Sequence, residues 1–200
     1  MIIHDFKQRT DEWYKVRAGK FTGSDFHICF GDSQAKKTLL LKKASEIIIG
    51  KVIENNYTNS DMQRGIENEN VAVAGYELTT NSSITTVGFC ELNERVGCSP
   101  DGLIGDDGII EIKCPNHTIF LQQVIANKIK PEYFTQIQFN LYVTGRKWCD
   151  YVAYNEDFDL FIKRIERDEE YIKKIVDCLD DCIKEVAMLV DKFKGLKSVA

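Results

Sequence analysis

The stretch SPDGLIGDDGIIEIKCPN, residues 99 to 116, limits the possible folds more than any other part of the sequence. It contains an apolar run typical of a buried strand, and the Gly/Asp tetrapeptide before that run is typical of a tight turn. Glu111 and Lys113 interrupt the run two residues apart, so in a strand their side chains point to the same face. We expect the turn to fold the chain back and bring Asp101 beside Glu111. The stretch therefore predicts a hairpin that gathers two carboxylates and one ammonium group.

The predicted acid pair, Asp101 and Glu111, needs a counter-charge. Two carboxylates this close repel each other unless a cation lies between them or one of them holds a proton. A hard divalent ion such as Mg²⁺ prefers oxygen ligands and keeps several waters, which leaves positions for a phosphate oxygen and an attacking water. The ammonium of Lys113 would then orient or help deprotonate that water, or stabilise charge in the transition state. This pattern favours metal-dependent phosphodiester hydrolysis, and a surface hairpin with an ordinary Glu/Lys pair is the alternative.

A third carboxylate is predicted from the segment QRGIENENVAVAGY. Glu69 lies at helical spacing from Ala72, Val73 and Tyr76, so it belongs to the apolar stripe that faces inward. Gly65, one turn earlier on that face, leaves room for a backbone or a substrate. The alternative is that Glu69 borders the stripe and extends into solvent.

The order of the predicted elements indicates an α/β fold with a central mixed sheet flanked by helices on both faces. Helices are predicted at about 10–19, from Thr22 or Ser24, and at about 33–50, 61–78 and 131–143. Strands are predicted at about 82–92, 95–99, 109–114, 147–154 and 160–166. A long amphipathic helix, about 168–194, is capped by Asp168. With 200 residues, 44% of them hydrophobic, we expect a single domain over residues 1–200.

Composition and charge narrow the class of protein without identifying it. The sequence has no apolar run of membrane-spanning length and no signal peptide, so we expect a soluble intracellular protein. Its seven cysteines are scattered, which favours reduced thiols. A net charge of −5 is not typical of a nucleic-acid-binding protein. Local clusters could nevertheless form a basic rim: Lys36 with Lys37, Lys42 with Lys43, Lys128 with Lys130, and Arg146 with Lys147.

The motifs SPDGL and EIKCP, with Asp101 and Glu111 ten residues apart, resemble the PD-(D/E)xK nuclease signature. They are most similar to the form of that signature in the YqaJ and phage lambda exonuclease family of viral recombination nucleases. The segment EWYKVRAGKFTGSDFH, residues 12 to 27, resembles the Trp, Arg, Gly and Thr-x-Ser segment at the N-terminus of this family. The resemblance implies a restriction-endonuclease-like core.

Two helical motifs extend the resemblance along the chain. Gly65-x3-Glu69 is similar to the helical acid motif of the family, and Tyr133-x2-Gln136-Ile-Gln138 resembles its Gln-x-Gln motif. Four motifs occur in the family's order, and together they cover roughly residues 11 to 155. The C-terminal helix carries no motif that aligns with the family.

The resemblance assigns roles to individual residues. Asp101 and Glu111 would be the central metal ligands, joined by the backbone carbonyl of Ile112 and, directly or through water, by Glu69. Lys113 would be the catalytic lysine. Two Mg²⁺ ions are implied, with Mn²⁺ as a substitute, and no iron–sulfur cluster is expected.

A second group of residues is implied to contact DNA. Arg17 and Ser24 fall where the family binds a terminal 5′-phosphate, and an arginine fork with a hydroxyl suits that ligand. Gln136 would lie beside the nucleophile or the scissile phosphate. The remaining residues of the motifs would support these contacts: Trp13, Tyr133 and Gln138.

The activity implied by the resemblance is that of a Mg²⁺-dependent 5′→3′ double-stranded DNA exonuclease from a phage or prophage recombination system. It would release 5′-mononucleotides and leave 3′ single-stranded DNA for a phage annealing protein. Family membership also implies a ring-shaped homotrimer around duplex DNA, working in the cytoplasm of a bacterial host.

Three other interpretations stay open. The same metal chemistry would serve a structure-selective or restriction-like endonuclease, and dependence on a DNA end separates the two. A DNA-binding module without catalysis is disfavoured by the intact acidic residues and lysine. The iron–sulfur branch of the superfamily needs four cysteines, three of them clustered, a pattern this sequence lacks. A further hypothesis is that the C-terminal helix serves in the assembly of an oligomer.

Overall fold

The computed structural model describes residues 1–53 and 60–197 and has a mixed α/β fold. The described helices are α1 (Asp11–Arg17), α2 (Gly23–Phe26), α3 (Gln34–Ile49), α4 (Ser60–Thr80), α5 (His117–Ala126), α6 (Pro131–Thr144) and α7 (Glu169–Lys197). The described strands are β1 (Ile2–His4), β2 (Ile84–Thr85), β3 (Phe89–Asn93), β4 (Val96–Cys98), β5 (Gly102–Ile104), β6 (Gly108–Lys113), β7 (Trp148–Asn155) and β8 (Phe158–Glu166). The predicted fold class is confirmed. The sequence predicts a polar loop over residues 54–60; residues 54–59 lie outside the described residues, and Ser60 is the first residue of α4.

A five-stranded mixed sheet forms the centre of the fold, with the order β2-β5-β6-β7-β8. Strand β6 pairs antiparallel with β5 on one side and parallel with β7 on the other. Because β6 has a neighbour on both sides and helices on both faces, its sequence is almost continuously apolar. This position explains why a charged pair within β6 has to serve a site rather than solvent.

The two faces of β6 contribute to two different hydrophobic cores. Ile110 and Ile112 pack with Ala72 and Tyr76 of α4. Ile109 packs in the larger core, which includes residues of α6, α3 and α7. The alternation predicted for this strand is present, since Glu111 and Lys113 occupy the same face as Ile109.

The strand arrangement before the turn differs from the sequence prediction. We expected the segment 95–99 to be the hairpin partner of 109–114, but β5 is that partner. Strand β4 instead pairs with β3 in a separate three-stranded sheet of order β1-β3-β4. Between β4 and β5 the chain crosses from one sheet to the other at Ser99–Asp101, where Pro100 has no N–H group to donate to a strand ladder.

Strand β1 and helix α5 are described elements that the sequence prediction lacked. Strand β1 has only three residues at a sheet edge, too few to give a periodic signal. Helix α5 begins after Asn116, whose side chain accepts a hydrogen bond from the N–H of Ile119 at 3.0 Å. No described helix is long and apolar enough to cross a membrane.

Candidate active site

A cavity of about 510 Å³ opens at the C-terminal end of β6. Asp101 lines it from the crossing between the two sheets, Glu69 from α4, and Ile112 and Lys113 from β6 itself. With Tyr133 of α6, five predicted site residues from four parts of the chain therefore share one cavity. The cavity wall also carries further cations and one aromatic ring: Arg9, Arg64, Lys130 and Tyr133.

Asp101 is fixed against β6 by the backbone. Its Oδ2 accepts a hydrogen bond from the N–H of Ile112 at 2.6 Å, which places the carboxylate between the positions of Glu111 and Lys113. Burial raises the pKa of Asp101 well above its ordinary value, and the nearby carboxylates of Glu111 and Glu69 raise it further. The ammonium of Lys113 opposes this rise in the pKa of Asp101 without cancelling it.

Glu111 lies behind the cavity and is 1% exposed. Its Oε1 accepts hydrogen bonds from Lys113 Nζ and from Gln136 Nε2, the latter at 2.6 Å, and its Oε2 accepts one from Asn140 Nδ2 at 3.3 Å. Burial by itself lowers the pKa of Lys113, but the carboxylates of Glu111 and Asp101 outweigh burial and raise it. Lys113 is therefore a permanent cation in the metal-free protein.

Tyr133 contacts the lysine side of the cavity. The ammonium group of Lys113 lies 5.3 Å from the centre of the Tyr133 ring, and that of Lys130 lies 5.5 Å from it. The ring also stacks on Tyr151 of β7 at a centroid distance of 5.9 Å. Tyr133 thus supports Lys113 through its aromatic face.

Glu69 faces the cavity, as its position on the apolar stripe predicted. It is about one quarter exposed, and its Oε2 accepts a hydrogen bond from Arg9 Nη2 at 3.2 Å. Arg64 lies five residues before Glu69 on α4. Its side chain donates a hydrogen bond to the backbone oxygen of Cys114 at 3.1 Å. That bond joins α4 to the end of β6.

A second group of predicted residues surrounds Arg17, next to the crossing segment. Trp13 Nε1 donates to Ser99 Oγ at 2.8 Å, and Arg17 Nη1 donates to the same oxygen at 3.2 Å. The Arg17 guanidinium also stacks on the Trp13 ring, 4.1 Å from its centre. Ser99 is two residues before Asp101, so the Arg17 group contacts the same crossing segment that carries Asp101.

Hydroxyl groups complete the surroundings of Arg17. Arg17 Nη2 donates to Thr22 Oγ1 at 3.4 Å, and that hydroxyl lies 3.4 Å from Ser24 Oγ. Burial lowers the pKa of Arg17 from its ordinary value, against the opposite influence of Asp25. Arg17 nevertheless stays charged, since an arginine keeps its proton at physiological pH. A half-buried cation that contacts two hydroxyls is suited to an anionic ligand.

Gln138 does not reach the cavity, although its motif suggested that it supports the site. It is completely buried, its Nε2 donates to the backbone oxygen of Glu166 at 2.8 Å, and its Oε1 accepts from the N–H of Asp168 at 2.9 Å. On helix α6 it faces away from Gln136. The position of Gln138 connects α6 to the corner between β8 and α7.

Several residues of the site were missed by the sequence prediction. Asn140 lies one turn after Gln136, and this spacing could have identified it as a second donor to Glu111. Ser99 is part of the SPDGL motif, but its contact with Arg17 depends on the tertiary fold. Arg9 carries no sequence signal that places it at the cavity, whereas Lys130 belongs to one of the pairs expected to form a basic rim.

The donor set fits a hard divalent cation. The candidate ligating groups are the carboxylates of Glu69, Asp101 and Glu111 and the carbonyl of Ile112, all of them oxygens. Among residues 1–53 and 60–197, no three His, Cys, Asp or Glu side chains are arranged to hold a metal ion. Glu69 and Glu111 are instead occupied by Arg9 and Lys113. Binding a cation therefore requires these contacts to be exchanged, and it would relieve the repulsion that raises the pKa of Asp101.

Comparisons with known proteins show the family and the fold of the chain. Residues 12–147 match the YqaJ-like viral recombinase domain. An alkaline exonuclease, LHK-Exo, from Laribacter hongkongensis has a TM-score of 0.89 and 33% identity, with 96% of this chain and 100% of that chain covered. LHK-Exo has also been solved in complex with dAMP, and that structure gives a TM-score of 0.89 at 32% identity, with the same coverage of both chains.

Two more distant proteins are also similar. A phage related exonuclease from Haemophilus somnus 129PT has a TM-score of 0.69 at 19% identity, covering 87% of this chain and 96% of that chain, and it shows the fold alone. An uncharacterized protein, R354, of Acanthamoeba polyphaga mimivirus is 25% identical over 167 residues, or 75% of this chain. The chain spans 29% of the length of that viral protein.

Proposed function

The chain belongs to the YqaJ-like viral recombinase domain family, and we propose that it is a metal-dependent exonuclease that digests duplex DNA from a 5′ end. A nuclease role in recombination follows from the family. The direction of digestion, the duplex specificity and the divalent ion, Mg²⁺ with Mn²⁺ as a substitute, are the proposal. Its products would be 5′-mononucleotides and a 3′ single strand.

One observation carries this proposal: the Arg17 group and the acidic cavity are joined through Ser99 and Asp101. Arg17 donates to Ser99, and Asp101, two residues later, bonds to the backbone of β6. A terminal phosphate bound at Arg17 would be held at a fixed distance from the cavity. Such an arrangement favours cleavage near a 5′ end over cleavage inside a strand.

Several residues at the cavity have separate roles in the proposed reaction. Gln136 and Asn140 hold the Glu111 carboxylate in position from one side, so Lys113 can move without releasing it. Lys113 would place its ammonium against the attacking water or the phosphate oxygens. A divalent cation, when bound by the carboxylates and the Ile112 carbonyl, supplies a water of lowered pKa and neutralises phosphate charge.

Partners and organisation are also part of the proposal. DNA is the substrate expected of a recombination exonuclease family, and duplex ends are the proposed form of it. A homotrimer, a phage annealing protein as partner and the bacterial cytoplasm as location follow from the family resemblance stated above. A single domain over residues 1–200 likewise stays a prediction.

The proposal is tested by comparing duplexes that carry a 5′-phosphate or a 5′-hydroxyl group. We expect the wild type to digest the phosphorylated end faster, because Arg17 holds the terminal phosphate. Arg17→Ala should lose most of that preference while it keeps a slow activity on both ends. Equal rates for both ends in the wild type would contradict the proposed role of Arg17.

A further inference from the structure

Arg9 has a strained backbone beside the cavity. Its φ of +66° lies in the left-handed region, which is uncommon for a residue other than glycine, asparagine or aspartate. The neighbouring side chains hold this conformation: Gln8 Nε2 donates to the backbone oxygens of Val87 and Pro100, each at 3.1 Å, and Thr10 Oγ1 donates to that of Lys7 at 2.8 Å. The strain is therefore imposed by contacts on both sides of Arg9.

The conformation directs the guanidinium group to the junction of two cavities. Arg9, Glu69 and Asp101 line both the cavity at the end of β6 and an adjacent one of about 420 Å³. Arg9 contacts Glu69 there, and its side chain is 46% exposed. Its remaining donor groups are thus accessible to a ligand that enters either cavity.

Stability does not account for this arrangement. An ion pair as exposed as Arg9 and Glu69 contributes little to folding, because water and salt screen it. A left-handed arginine costs free energy that a glycine at the same position would not. Backbone strain that is held in place without a gain in stability indicates a functional residue.

We propose that Arg9 binds an internal phosphate of the DNA strand that enters the cleft, and that Glu69 is its partner only in the DNA-free protein. This inference rests on the proposed function. Arg9 differs from Arg17 in its surroundings, since Arg17 is half-buried and bonded to two hydroxyls, whereas Arg9 lies beside a carboxylate and is open to both cavities. Arg17 therefore suits a terminal phosphate, and Arg9 suits a phosphate along the strand.

Arg9 would change its partner from the Glu69 carboxylate to a phosphate of the DNA. When Glu69 takes part in cation binding, the Arg9 guanidinium loses its carboxylate and becomes available to phosphate. A guanidinium can form two parallel hydrogen bonds with phosphate oxygens, which fixes the orientation of the strand. Arg9 is thus a positioning residue for the substrate.

The test measures duplex binding by fluorescence anisotropy at a fixed low Ca²⁺ concentration over a series of KCl concentrations, with the length of the DNA verified afterwards. Arg9→Gly removes the guanidinium and also the strain. We expect it to weaken binding about tenfold, the worth of a charge-assisted hydrogen bond. The slope of log K against log salt should fall by about 0.9, the value for one phosphate contact.

Three comparisons separate this role from a structural one. Arg9→Gly should melt at the wild-type temperature or above it, because the strain is relieved. Arg9→Lys should keep the salt slope, because it keeps the charge. Lys174→Ala removes an exposed cation from α7, far along the chain from the cleft, and should change neither affinity nor slope.

The type of DNA end distinguishes Arg9 from Arg17. The loss in Arg9→Gly should be equal for 5′-phosphorylated and 5′-hydroxyl duplexes, whereas the loss in Arg17→Ala should be confined to the phosphorylated end. Wild-type affinity and slope in Arg9→Gly would overturn the inference alone. Failure of the wild type to bind either duplex would overturn the proposed function and this inference with it.

Discussion

At the scale of single residues, Asp101 shows a conflict between stability and function. Burial and two neighbouring carboxylates raise its pKa, so the neutral form persists to a higher pH than in an ordinary aspartate. The same crowding of acids is the condition under which a divalent cation binds well. The Asp101 carboxylate is thus unfavourable for the stability of the metal-free protein, but the proposed chemistry needs it.

This conflict predicts the effect of Asp101→Asn on the metal-free protein. An acid whose pKa is higher in the folded state than in the unfolded state contributes stability at low pH, which is lost as the pH rises toward the folded value. An asparagine side chain keeps the oxygen that accepts the hydrogen bond from the Ile112 N–H. It does not ionise, so the loss of stability with rising pH disappears. We therefore expect Asp101→Asn to raise the melting temperature in EDTA, by more at pH 8 than at pH 5.

Thermal melts in EDTA at the two pH values provide this measurement. About 1 kcal/mol moves the melting temperature of a chain of this size by roughly 2–4 °C. The variant should be inactive on DNA in the presence of Mg²⁺. A melting temperature that is unchanged at pH 8, or raised more at pH 5, would contradict the role given to the Asp101 carboxyl.

The two glutamines of the Gln-x-Gln motif should have opposite phenotypes. Gln136 donates to Glu111 at the cavity, so Gln136→Ala should reduce cleavage by about tenfold or more with a small effect on melting. Gln138 bonds to two backbone groups in the interior, so Gln138→Ala should lower the free energy of unfolding by about 1–3 kcal/mol. Its cleavage rate at a temperature where it is folded should be near that of the wild type.

Kinetics and urea unfolding of both variants distinguish these roles. Each variant is the control for the other, because both glutamines lie on α6 and both lose the same side-chain atoms. Loss of activity in a folded Gln138→Ala protein would show that the position of α6 at the cavity is more sensitive to the β8–α7 corner than we infer.

At the scale of elements, the segment that carries Arg17 is held by helix α3. Glu46 is 1% exposed, and its carboxylate accepts hydrogen bonds from the N–H groups of Gly19 and Ile53, each at 3.1 Å. Gly19 has a φ of +70°, and a Cβ atom there would lie 2.4 Å from Cγ1 of Ile47. The turn after α1 therefore has a glycine for two independent reasons.

Gly19→Ala should displace the Arg17 segment from α3. We expect a lower melting temperature and a reduced preference for 5′-phosphorylated ends, because the terminal-phosphate group moves relative to the cavity. Gly31→Ala is the matched control, since Gly31 also has a positive φ, +82°, but has open space around its Cβ position. Gly31→Ala should show a backbone penalty without the change in end preference.

If both glycine variants lost the end preference to the same extent, the contact with Ile47 would not be what positions Arg17. Measurement of melting and of the ratio of rates on the two kinds of end gives the answer for each variant.

Elements also show what a sequence can and cannot predict. The alternation in β6 and the inward position of Glu69 follow from periodicity, because a local pattern dictates which face a side chain occupies. The partner of β6 was predicted wrongly, because pairing depends on the crossing at Pro100 and on a second sheet. Gln138 fits the motif spacing, but its direction on α6 is set by packing against β8 and α7. Arg9 was missed because its position depends on a strained turn and not on a pattern.

At the scale of the whole molecule, net charge gave little information about the ligand. The chain carries a net charge of −5, yet the cavity wall contains Arg9, Arg64, Lys113 and Lys130. The acidic residues at the centre and the cations around them are arranged by tertiary contacts. A nuclease site needs this local separation of charge and no overall basic excess.

The C-terminal helix is part of the hydrophobic core as well as a hypothetical assembly element. Helix α7 buries Ile175, Leu179 and Val186 in the larger core and packs against α3. Deletion of residues 168–200 should therefore unfold the chain and not simply change its oligomeric state.

We expect the full chain to have three times the mass of one protomer by light scattering, and a monomer mass at micromolar concentration would contradict the trimer.

The direct test of the account is digestion of linear duplex DNA in Mg²⁺, labelled at the 5′ or the 3′ end of one strand, beside a covalently closed circle. Lys113→Ala, verified to be folded by its melting curve, is the control. We expect rapid release of the 5′ label as a mononucleotide, late release of the 3′ label, an intact circle and an inactive variant. Cutting of the circle, or release of the 3′ label first, would contradict it.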